Sequence, residues 1–379
     1  MTLKEDEIDN IRPGVLNKKQ TELLFKNDII KHLDGKVDSS SFDLHLSSLG
    51  YKMRGSIKPD RYTKVTQIIN DYKEQILDLE EKTTLKTGVT YLIQLKEVLR
   101  LPKGKKFFGR TTGKSSIGRL DVLTRLIVDE CHTYDTIDEE YGGSLFLEVT
   151  PITFPIVVKK GIALSQLRLF RGCPEWSEIK NDEIQLFGGI ILDEKYEFKK
   201  NGNQITELRV NLLPDPSTDL SAFRAKKNNN NKDLEIDLTQ KEKYFKPEGF
   251  WDGIKVNKGE PLEIEKEKFY ILRSKERFKL PKDVAVSCQA ISETLGELRI
   301  HYAGFVHPFF GSKREDGKGT PIIFEVRGHN VTTYLRDGET LANINFYRMS
   351  EPAEEPTEKN DYENQELKLS KYFEDWGQT

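Results

Sequence analysis

The feature that most constrains the fold of this chain is an internal repeat. Residues 91–103 reappear, in the order of their hydrophobic and basic positions, as residues 270–282. The run Phe-Leu-Glu-Val at residues 146–149 has the counterpart Phe-Glu-Val within residues 323–326, displaced by a similar offset. Self-similarity over so long a period is most simply explained by two copies of one fold.

The pattern within each copy is typical of β-structure. From Phe42 onward, hydrophobic residues mostly alternate in short runs that Gly, Pro and Lys/Asp clusters separate, as in half-buried strands. Residues 12–35 are an exception, because their apolar positions recur at three and four and predict a short helix. The segment 62–85 is a further exception to the β-pattern, and we predict a second helix there. The sequence therefore predicts a mainly β fold with a few short helices.

Domain boundaries follow from length and composition. A chain of 379 residues is too long for one ordinary core and suits two domains. The prolines at 214 and 216 and the asparagine run at 228–231 predict a linker, because a polar tract cannot bury a face. We predict an N-terminal domain at 1–213, a linker at 214–232, a C-terminal domain at 233–349, and an acidic tail at 350–379 that could form a lid.

Composition argues against several classes of function. Lys and Arg number 59 against 62 Asp and Glu, for a net charge of −3, so no global basic field points to nucleic acid. The three cysteines, Cys131, Cys173 and Cys288, are widely separated and suit a reducing compartment. No apolar run approaches the roughly 18 residues of a membrane span. We expect a soluble cytoplasmic protein without nucleic-acid or membrane partners.

The residues from Gly113 to Arg119 have the chemistry of a phosphate site. A glycine lets backbone N–H groups approach an anion, Ser115 and Ser116 add hydroxyl donors, and Lys114 and Arg119 add charge. The overlapping run from Gly109 to Ser115 nearly spells a P-loop, but three residues separate Gly109 from Gly113 where that motif needs four. The flanking β-pattern also disfavours a P-loop. A polar turn with a surface arginine is the alternative.

Glu148 is the candidate for proton transfer. It lies in an alternating run in which Leu145 and Leu147 share one face, whereas Phe146 and Glu148 share the other. Apolar neighbours raise the pKa of a carboxyl group toward the range that a general base needs. A solvated strand glutamate is the alternative interpretation.

Together with Ile-Asp-x-x-Tyr-x-Gly at 137–143 and Gly-x-x-Leu-x-Gln-Leu at 161–167, these motifs resemble the deoxycytidine triphosphate (dCTP) deaminases of the dUTPase-like superfamily, in their long duplicated form. The resemblance implies two tandem dUTPase-like β-barrel or jelly-roll domains. It also implies hydrolytic deamination of dCTP to dUTP and ammonia, with sites between the subunits of a homotrimer.

The resemblance assigns roles to individual residues. Glu148 would deprotonate the attacking water and return the proton to the departing amine, since one carboxylate can serve both steps. The implied substrate-binding residues are Lys114, Ser115, Ser116 and Arg119 for phosphates, Gln166 near them, Asp138 and Tyr141 for the sugar, and Tyr362 and Gln365 in a lid. The chain lacks the zinc-deaminase signature, and Mg²⁺ is expected to accompany the triphosphate.

The second copy differs at the phosphate motif. Glu293 and Glu297 align with Ser115 and Arg119, and carboxylates there would repel a triphosphate. The second copy keeps Glu325 opposite Glu148, but Asp138 aligns with Val306 or His307. We therefore predict a structural or site-completing role for the second copy.

Two other functions remain open from the sequence. One is a bifunctional deaminase and diphosphatase that releases dUMP, because the residue at position 138 does not separate the two activities. The other is a nucleotide-binding regulator without turnover. The residues that read the base would lie in an insertion at 129–137 and are not assigned individually.

Overall fold

A computed structural model describes residues 5–32, 37–180, 183–187, 190–193, 206–226, 234–290, 298–301, 304–356 and 362–377. These residues form short helices and many strands. The helices are α1 (Glu5–Asp9), α2 (Lys18–Lys26), α3 (Val65–Tyr72) and α4 (Ser115–Gly118). Within the described ranges, no helix has the length and apolar character needed to span a membrane.

The strands of the first half are β1 (Gly14–Val15), β2 (Ile30–Lys31), β3 (Phe42–Met53), β4 (Lys73–Asp78), β5 (Thr83–Leu85), β6 (Tyr91–Arg100), β7 (Phe107–Gly113), β8 (Val122–Ile127), β9 (Thr136–Ile137), β10 (Gly142–Pro151), β11 (Ile156–Val158) and β12 (Ala163–Arg171). Their main sheet has the order β8-β10-β6-β3-β12-β7-β9, and β1, β2 and β4 pair at its sides.

The strands of the second half are β13 (Glu178–Ile179), β14 (Ile191–Leu192), β15 (Glu207–Asn211), β16 (Ala222–Ala225), β17 (Ile236–Asp237), β18 (Trp251–Ile254), β19 (Leu262–Ile264), β20 (Phe269–Phe278), β21 (Val284–Ala290), β22 (Leu298–His301), β23 (Phe305–Val306), β24 (Thr320–Gly328), β25 (Thr333–Leu335) and β26 (Thr340–Arg348). Their main sheet has the order β18-β16-β20-β15-β26-β21-β23, and β24 pairs with β20 and β22.

The two sheets repeat one topology. In the first, β6 pairs with β10, and β12 pairs with β7, which in turn pairs with β9. In the second, β20 pairs with β24, and β26 pairs with β21, which pairs with β23. The prediction of a mainly β chain with two tandem barrel-like copies is confirmed.

The predicted domain boundary differs from the one in the structure. The strands β13 and β15 precede residue 214, yet both pair with β26 of the second sheet. The strand β16 lies inside the predicted linker and pairs with β20. The chain therefore changes sheets between the end of β12 and the start of β13. The prolines at 214 and 216 correctly predicted a loop, but they do not determine which sheet the flanking strands join. The asparagine run lies outside the described residues.

The helix predicted within residues 12–35 is shorter in the structure. It begins after Asn17, whose side chain accepts a 3.0 Å hydrogen bond from the Gln20 N–H, while the Gln20 side chain accepts one from the Asn17 N–H. This capping box explains the start. The helix ends at Lys26, before the left-handed Asp28. The second predicted helix is α3, and its segment continues as the strand β4.

The two copies share an apolar interface. Phe154 of the first copy packs edge-on against Trp251 of the second, with ring centroids 5.6 Å apart, and against Phe250 at 5.8 Å. Phe373 near the C-terminus packs against Trp251 at 6.0 Å. Buried aromatic contacts of this kind carry a large hydrophobic free energy. They fix the copies and the C-terminal segment as one body.

Buried polar groups also join the copies. Arg168 on β12 donates hydrogen bonds to the carbonyl oxygens of Val286 at 2.9 Å and Val306 at 3.3 Å, both in the second sheet. Asp121, which follows α4, accepts from the Arg327 guanidinium on β24, with Nε at 3.1 Å, and from the Thr153 hydroxyl. These contacts hold β23 and β24 against the first copy.

Replacement of Asp121 by Ala should lower the free energy of unfolding by about 3 kcal/mol, because the largely buried Arg327 loses its carboxylate. The control is Glu183→Gln, since Glu183 pairs with Arg348 at the surface and should contribute less than about 1 kcal/mol. Urea unfolding followed by fluorescence measures both. Equal losses in the two variants would contradict the proposed strength of this contact between the copies.

Candidate active site

A cavity of about 1250 Å³ lies where the two copies meet. One wall is the turn from Gly113 to Arg119 in the first copy. The second wall comes from the other copy, through β23 with the residues that follow it and through residues 322–325 of β24. The third wall is part of the segment 362–370, which we call the C-terminal strap. The cavity is therefore composite, and neither copy encloses it alone.

The strands β7 and β12 position the first wall. Their antiparallel register places Gly113 opposite Ser165, and α4 starts two residues later at Ser115. Lys114 forms an ion pair with Asp43 of β3. The predicted phosphate residues Lys114, Ser115 and Ser116 all line the cavity, so the structure brings the first motif together.

Gln166 joins the same wall. It neighbours Ser165 on β12, lines the cavity, and its side-chain oxygen accepts a 3.1 Å hydrogen bond from the Ser41 hydroxyl. The structure thus places Gln166 beside the predicted phosphate turn.

Arg119 is buried, with 2% of its surface exposed. One terminal nitrogen donates to the carbonyl oxygen of Lys368 at 3.0 Å, and the other donates to the side-chain oxygen of Gln365 at 2.7 Å. The Tyr362 ring lies 4.3 Å from the guanidinium carbon. Burial lowers the pKa of Arg119, and nearby Tyr362 and Glu325 oppose that shift. The predicted lid residues therefore contact Arg119 directly.

Glu325 is the carboxylate that faces this turn. It lies on β24 between β20 and β22, is 4% exposed, and its Oε2 atom has no hydrogen-bond partner among the described residues. Burial raises the pKa of Glu325 well above its ordinary range; Arg119 opposes this shift, and Asp121 adds to it. The carboxyl group lies against Gly118, where a Cβ atom would come within 2.9 Å of the carboxyl carbon.

Glu148 occupies the equivalent place on β10 but does not line the cavity. It is also 4% exposed, and it accepts a 2.8 Å hydrogen bond from the Ser56 hydroxyl, which in turn contacts the Tyr134 hydroxyl. Burial raises the pKa of Glu148, and the hydrogen bond from Ser56 opposes this shift. The loop that precedes α3 therefore covers Glu148 with groups of the first copy itself.

Asp138 and Tyr141 also lie away from the cavity. Asp138 is exposed, and Tyr141 packs on the first core with its hydroxyl donating to the Ser144 carbonyl oxygen at 2.6 Å. Burial raises the pKa of Tyr141. The structure does not bring this pair to the residues predicted to bind phosphate.

Residues of the second copy take the corresponding places in the cavity. The strand β9 ends at Ile137 and β23 ends at Val306, and a left-handed residue follows each three positions later, Glu140 with φ 65° and Phe309 with φ 69°. His307 therefore corresponds to Asp138.

By the same register, Phe310 corresponds to Tyr141, and both His307 and Phe310 line the cavity. The His307 Nδ1 atom lies 2.8 Å from the Ser40 hydroxyl, and burial lowers the pKa of this imidazole.

Glu325, His307 and Phe310 line the cavity, although sequence reasoning did not assign them to the site. The register of the repeat identified Glu325 as the counterpart of Glu148, but the repeat does not show which copy's glutamate meets Arg119. The strand β23 lies 169 residues after β9, whereas Glu325 lies 177 residues after Glu148. Because the two offsets differ, sequence alignment could not decide which residue of the second copy corresponds to Asp138. The aligned residues Glu293 and Glu297 lie outside the described ranges.

Comparison with known families gives two matches that follow each other along the chain. Residues 12–173 match the model of the 2'-deoxycytidine 5'-triphosphate deaminase N-terminal domain, and residues 181–373 match that of the C-terminal domain. The interval between them coincides with the change of sheets between β12 and β13.

Curated relatives resemble part of the chain. A protein from Parafrankia sp. named "dCTP deaminase, dUMP-forming" is 31% identical over 144 residues, which are 36% of this chain and 65% of that protein. Proteins of the same name from Salinispora tropica and Corynebacterium glutamicum are 35% and 31% identical, over 24% and 39% of this chain and 45% and 80% of those proteins. The chain thus spans less than two thirds of the first two.

A solved structure resembles nearly the whole chain. The crystal structure of 2'-deoxycytidine 5'-triphosphate deaminase from Agrobacterium tumefaciens superposes with a TM-score of 0.82 at 29% sequence identity. The match covers 90% of this chain and 97% of that one. The tandem arrangement of the two copies is therefore shared with that protein.

Replacement of Glu325 by Gln should stabilise the fold at high pH. Because folding raises the pKa of this carboxyl group, the wild-type protein loses stability as pH rises from the ordinary value of 4.5 to the raised pKa. Glutamine removes that loss, so the variant should gain about 1–3 kcal/mol at pH 8 and almost nothing at pH 4.

Urea unfolding of both proteins at several pH values measures the difference, with the exposed Glu260→Gln as control. A gain that is constant across this pH range, or a loss of stability at pH 8, would show that Glu325 is not a strained buried acid.

Proposed function

The chain belongs to the 2'-deoxycytidine 5'-triphosphate deaminase family, and from this premise we propose that it hydrolyses dCTP at C4 of the cytosine ring and releases ammonia. One observation carries the proposal: a buried carboxyl group with an unpartnered oxygen, Glu325, faces the anion-binding turn across a composite cavity. At about 1250 Å³ the cavity is larger than the 300–1,000 Å³ that ligand sites commonly measure, so it has room for a nucleotide triphosphate.

In this proposal Glu325 is the general base. Its carboxylate accepts a proton from the water that attacks C4, and the same carboxyl group then gives a proton to the departing amine. A carboxyl group whose pKa is raised by burial suits both steps, because it binds and releases protons nearer neutral pH. Glu148 was the residue predicted for this role from sequence, but the hydrogen bond from Ser56 and the absence of Glu148 from the cavity wall favour Glu325.

The first copy supplies the end of the cavity at which the phosphates would bind. Lys114 and the hydroxyls of Ser115 and Ser116 line the cavity and would donate to phosphate oxygens. On binding, Lys114 would exchange its contact with Asp43 for phosphate. Arg119 adds positive charge behind the turn, and Gln166 lies beside the turn.

The sugar would lie between the phosphate-binding turn and Glu325. Asp138 and Tyr141 were predicted to orient it, but His307 and Phe310 occupy the corresponding positions in the cavity wall. We therefore propose that His307 and Phe310 face the deoxyribose, and that Tyr362 and Gln365 of the C-terminal strap close the cavity.

Magnesium would enter with the substrate, because a triphosphate normally carries Mg²⁺ on its oxygens. Among the residues that the structure describes, no group of three or more His, Cys, Asp or Glu side chains is arranged to hold a metal ion. The expected contribution of Mg²⁺ is partial neutralisation of the phosphate charge beside Lys114.

Two products are compatible with this site. We propose dUTP and ammonia as the first, because the family resemblance implies deamination of dCTP to dUTP. The second candidate is dUMP, formed by additional cleavage of the phosphate chain, and it is favoured by the curated relatives named "dCTP deaminase, dUMP-forming". The family resemblance predicts a homotrimer, and light scattering of the purified protein would test this prediction.

Glu325→Gln should reduce the turnover of dCTP by at least about 10²-fold, the lower bound for general base catalysis, and nucleotide binding should survive. Glu148→Gln, the matched change in the other copy, should retain turnover within about threefold, because Glu148 lies outside the cavity. Each variant is incubated with dCTP and Mg²⁺, and ammonia and nucleotides are quantified by chromatography.

The same assay separates the functions. Appearance of dUTP supports the first product, whereas dUMP with pyrophosphate supports the second. Tightly bound but unchanged dCTP in the wild-type protein would support a regulator without turnover. Full activity of Glu325→Gln would remove this residue from the mechanism.

Gly118→Ala should reduce kcat by at least about tenfold while the protein stays folded. The backbone there is helical, so alanine is tolerated locally, but its Cβ must displace the Glu325 carboxyl group. The control is Gly249→Ala, where a Cβ meets no atom within 4 Å. Wild-type kcat in Gly118→Ala would show that Glu325 need not lie against this turn.

A further inference from the structure

Three arginines of the second copy surround one carboxylate of the C-terminal strap. Glu366 accepts from Arg273 at 3.1 Å, from Arg277 at 2.5 and 3.1 Å, and from Arg314 at 2.8 Å. We call Arg273, Arg277 and Arg314 the arginine box. Asp215 lies 3.4 Å from Arg273 and balances part of its charge.

The arginine box is largely shielded from solvent. The side chains of Arg273 and Arg277 are 4% and 7% exposed, and that of Glu366 is 12% exposed. Charge-assisted hydrogen bonds are strong in such an environment, and removing one partner leaves uncompensated charge. Glu366 is therefore the point at which the C-terminal strap is fixed to the second sheet.

The residue before Glu366 connects this point to the cavity. Gln365 accepts from Arg119 at 2.7 Å and donates to the Pro321 carbonyl oxygen at 3.0 Å. Pro321 lies on β24, four residues before Glu325. Further along the C-terminal strap, the carbonyl oxygen of Lys368 accepts from Arg119. The strap thus supplies acceptors for a guanidinium that lies beside Glu325.

The charged and titratable groups that act on Glu325 come from two elements. Arg119 and Asp121 follow α4, and Cys288 lies on β21, where burial and, to a smaller extent, Glu325 raise the pKa of the thiol to about 12. Arg119 is the cation of this set. A buried guanidinium that lost its acceptors in the strap would turn to the nearest anion, and Glu325 has an unpartnered oxygen.

We propose that Glu366 is a positioning residue for the reaction: its ion pairs with the arginine box hold the C-terminal strap, so that Arg119 is bound by the strap and Glu325 stays available as proton acceptor. This inference rests on the proposed function. A direct pair between Arg119 and Glu325 would stabilise the ionised carboxylate and make it a weaker base.

The test is the pH profile of Glu366→Gln. We expect kcat with dCTP to fall by at least about tenfold, and the acid limb of kcat/KM to move down by about one pH unit, because an adjacent cation lowers a carboxyl pKa. Glu366→Asp, which keeps the charge, should recover most of kcat and the wild-type limb. Trypsin should cleave Glu366→Gln faster after Lys368 and Lys371 than it cleaves the wild-type protein.

The control is Glu265→Gln, which removes a carboxylate paired with Arg224 elsewhere in the second copy and should change none of these readouts. A lower melting temperature of Glu366→Gln with wild-type kcat and pH profile would reduce Glu366 to a structural role and overturn the inference. That result would leave the proposed function intact, because the proposed function fails if the wild-type protein releases no ammonia from dCTP.

Discussion

The contact between Glu325 and the turn at Gly118 is the constraint on which the rest of this site depends. A carboxyl group is buried against the backbone of the other copy, at a position where a single methyl group would not fit. Such burial disfavours the charged form and raises the pKa. The interface between the copies, with its aromatic cluster and the contacts of Arg168 and Asp121, holds the Glu325 strand against the first copy.

The same interface makes the two copies unequal. Glu148 and Glu325 occupy equivalent strands and are equally buried, but their surroundings differ. Ser56, in the loop before α3, donates to Glu148 and covers it, whereas Glu325 opens into the cavity. In the proposed mechanism, one copy contributes the anion-binding turn and the other contributes the acid. On this proposal, duplication of the fold has given a chain in which each copy carries half of one site.

Arg119 links this division to the C-terminal strap. Its guanidinium is bound by main-chain and side-chain oxygens of the strap. The positive charge therefore lies close to Glu325 without direct neutralisation by that carboxyl group. The strap in turn is fixed by buried ion pairs on the second sheet. The chain of contacts from the arginine box to Arg119 explains why a tail rich in charge is packed instead of solvated.

Sequence patterns predicted the strands, the helices α2 and α3 and the repeat, because alternation and helical periodicity are local properties. They also identified Lys114, Ser115, Ser116, Gln166, Tyr362 and Gln365, which the structure brings to one cavity. They did not single out Glu325, the base that we propose, since the choice between Glu148 and Glu325 depends on how two similar sheets pack. The domain boundary differed for a related reason: the pairing of β13 and β15 with β26 is a long-range property that prolines and asparagines do not encode.

The most direct test of a site built within one chain is complementation between inactive variants. Chains carrying Arg119→Gln and chains carrying Glu325→Gln are produced together with different tags, and any mixed assemblies are purified and assayed for ammonia release from dCTP. If each chain contains both halves of its own site, the mixed preparation stays as inactive as the separate variants. Activity regained on mixing would show that Arg119 and the catalytic carboxylate come from different chains, and would contradict this account.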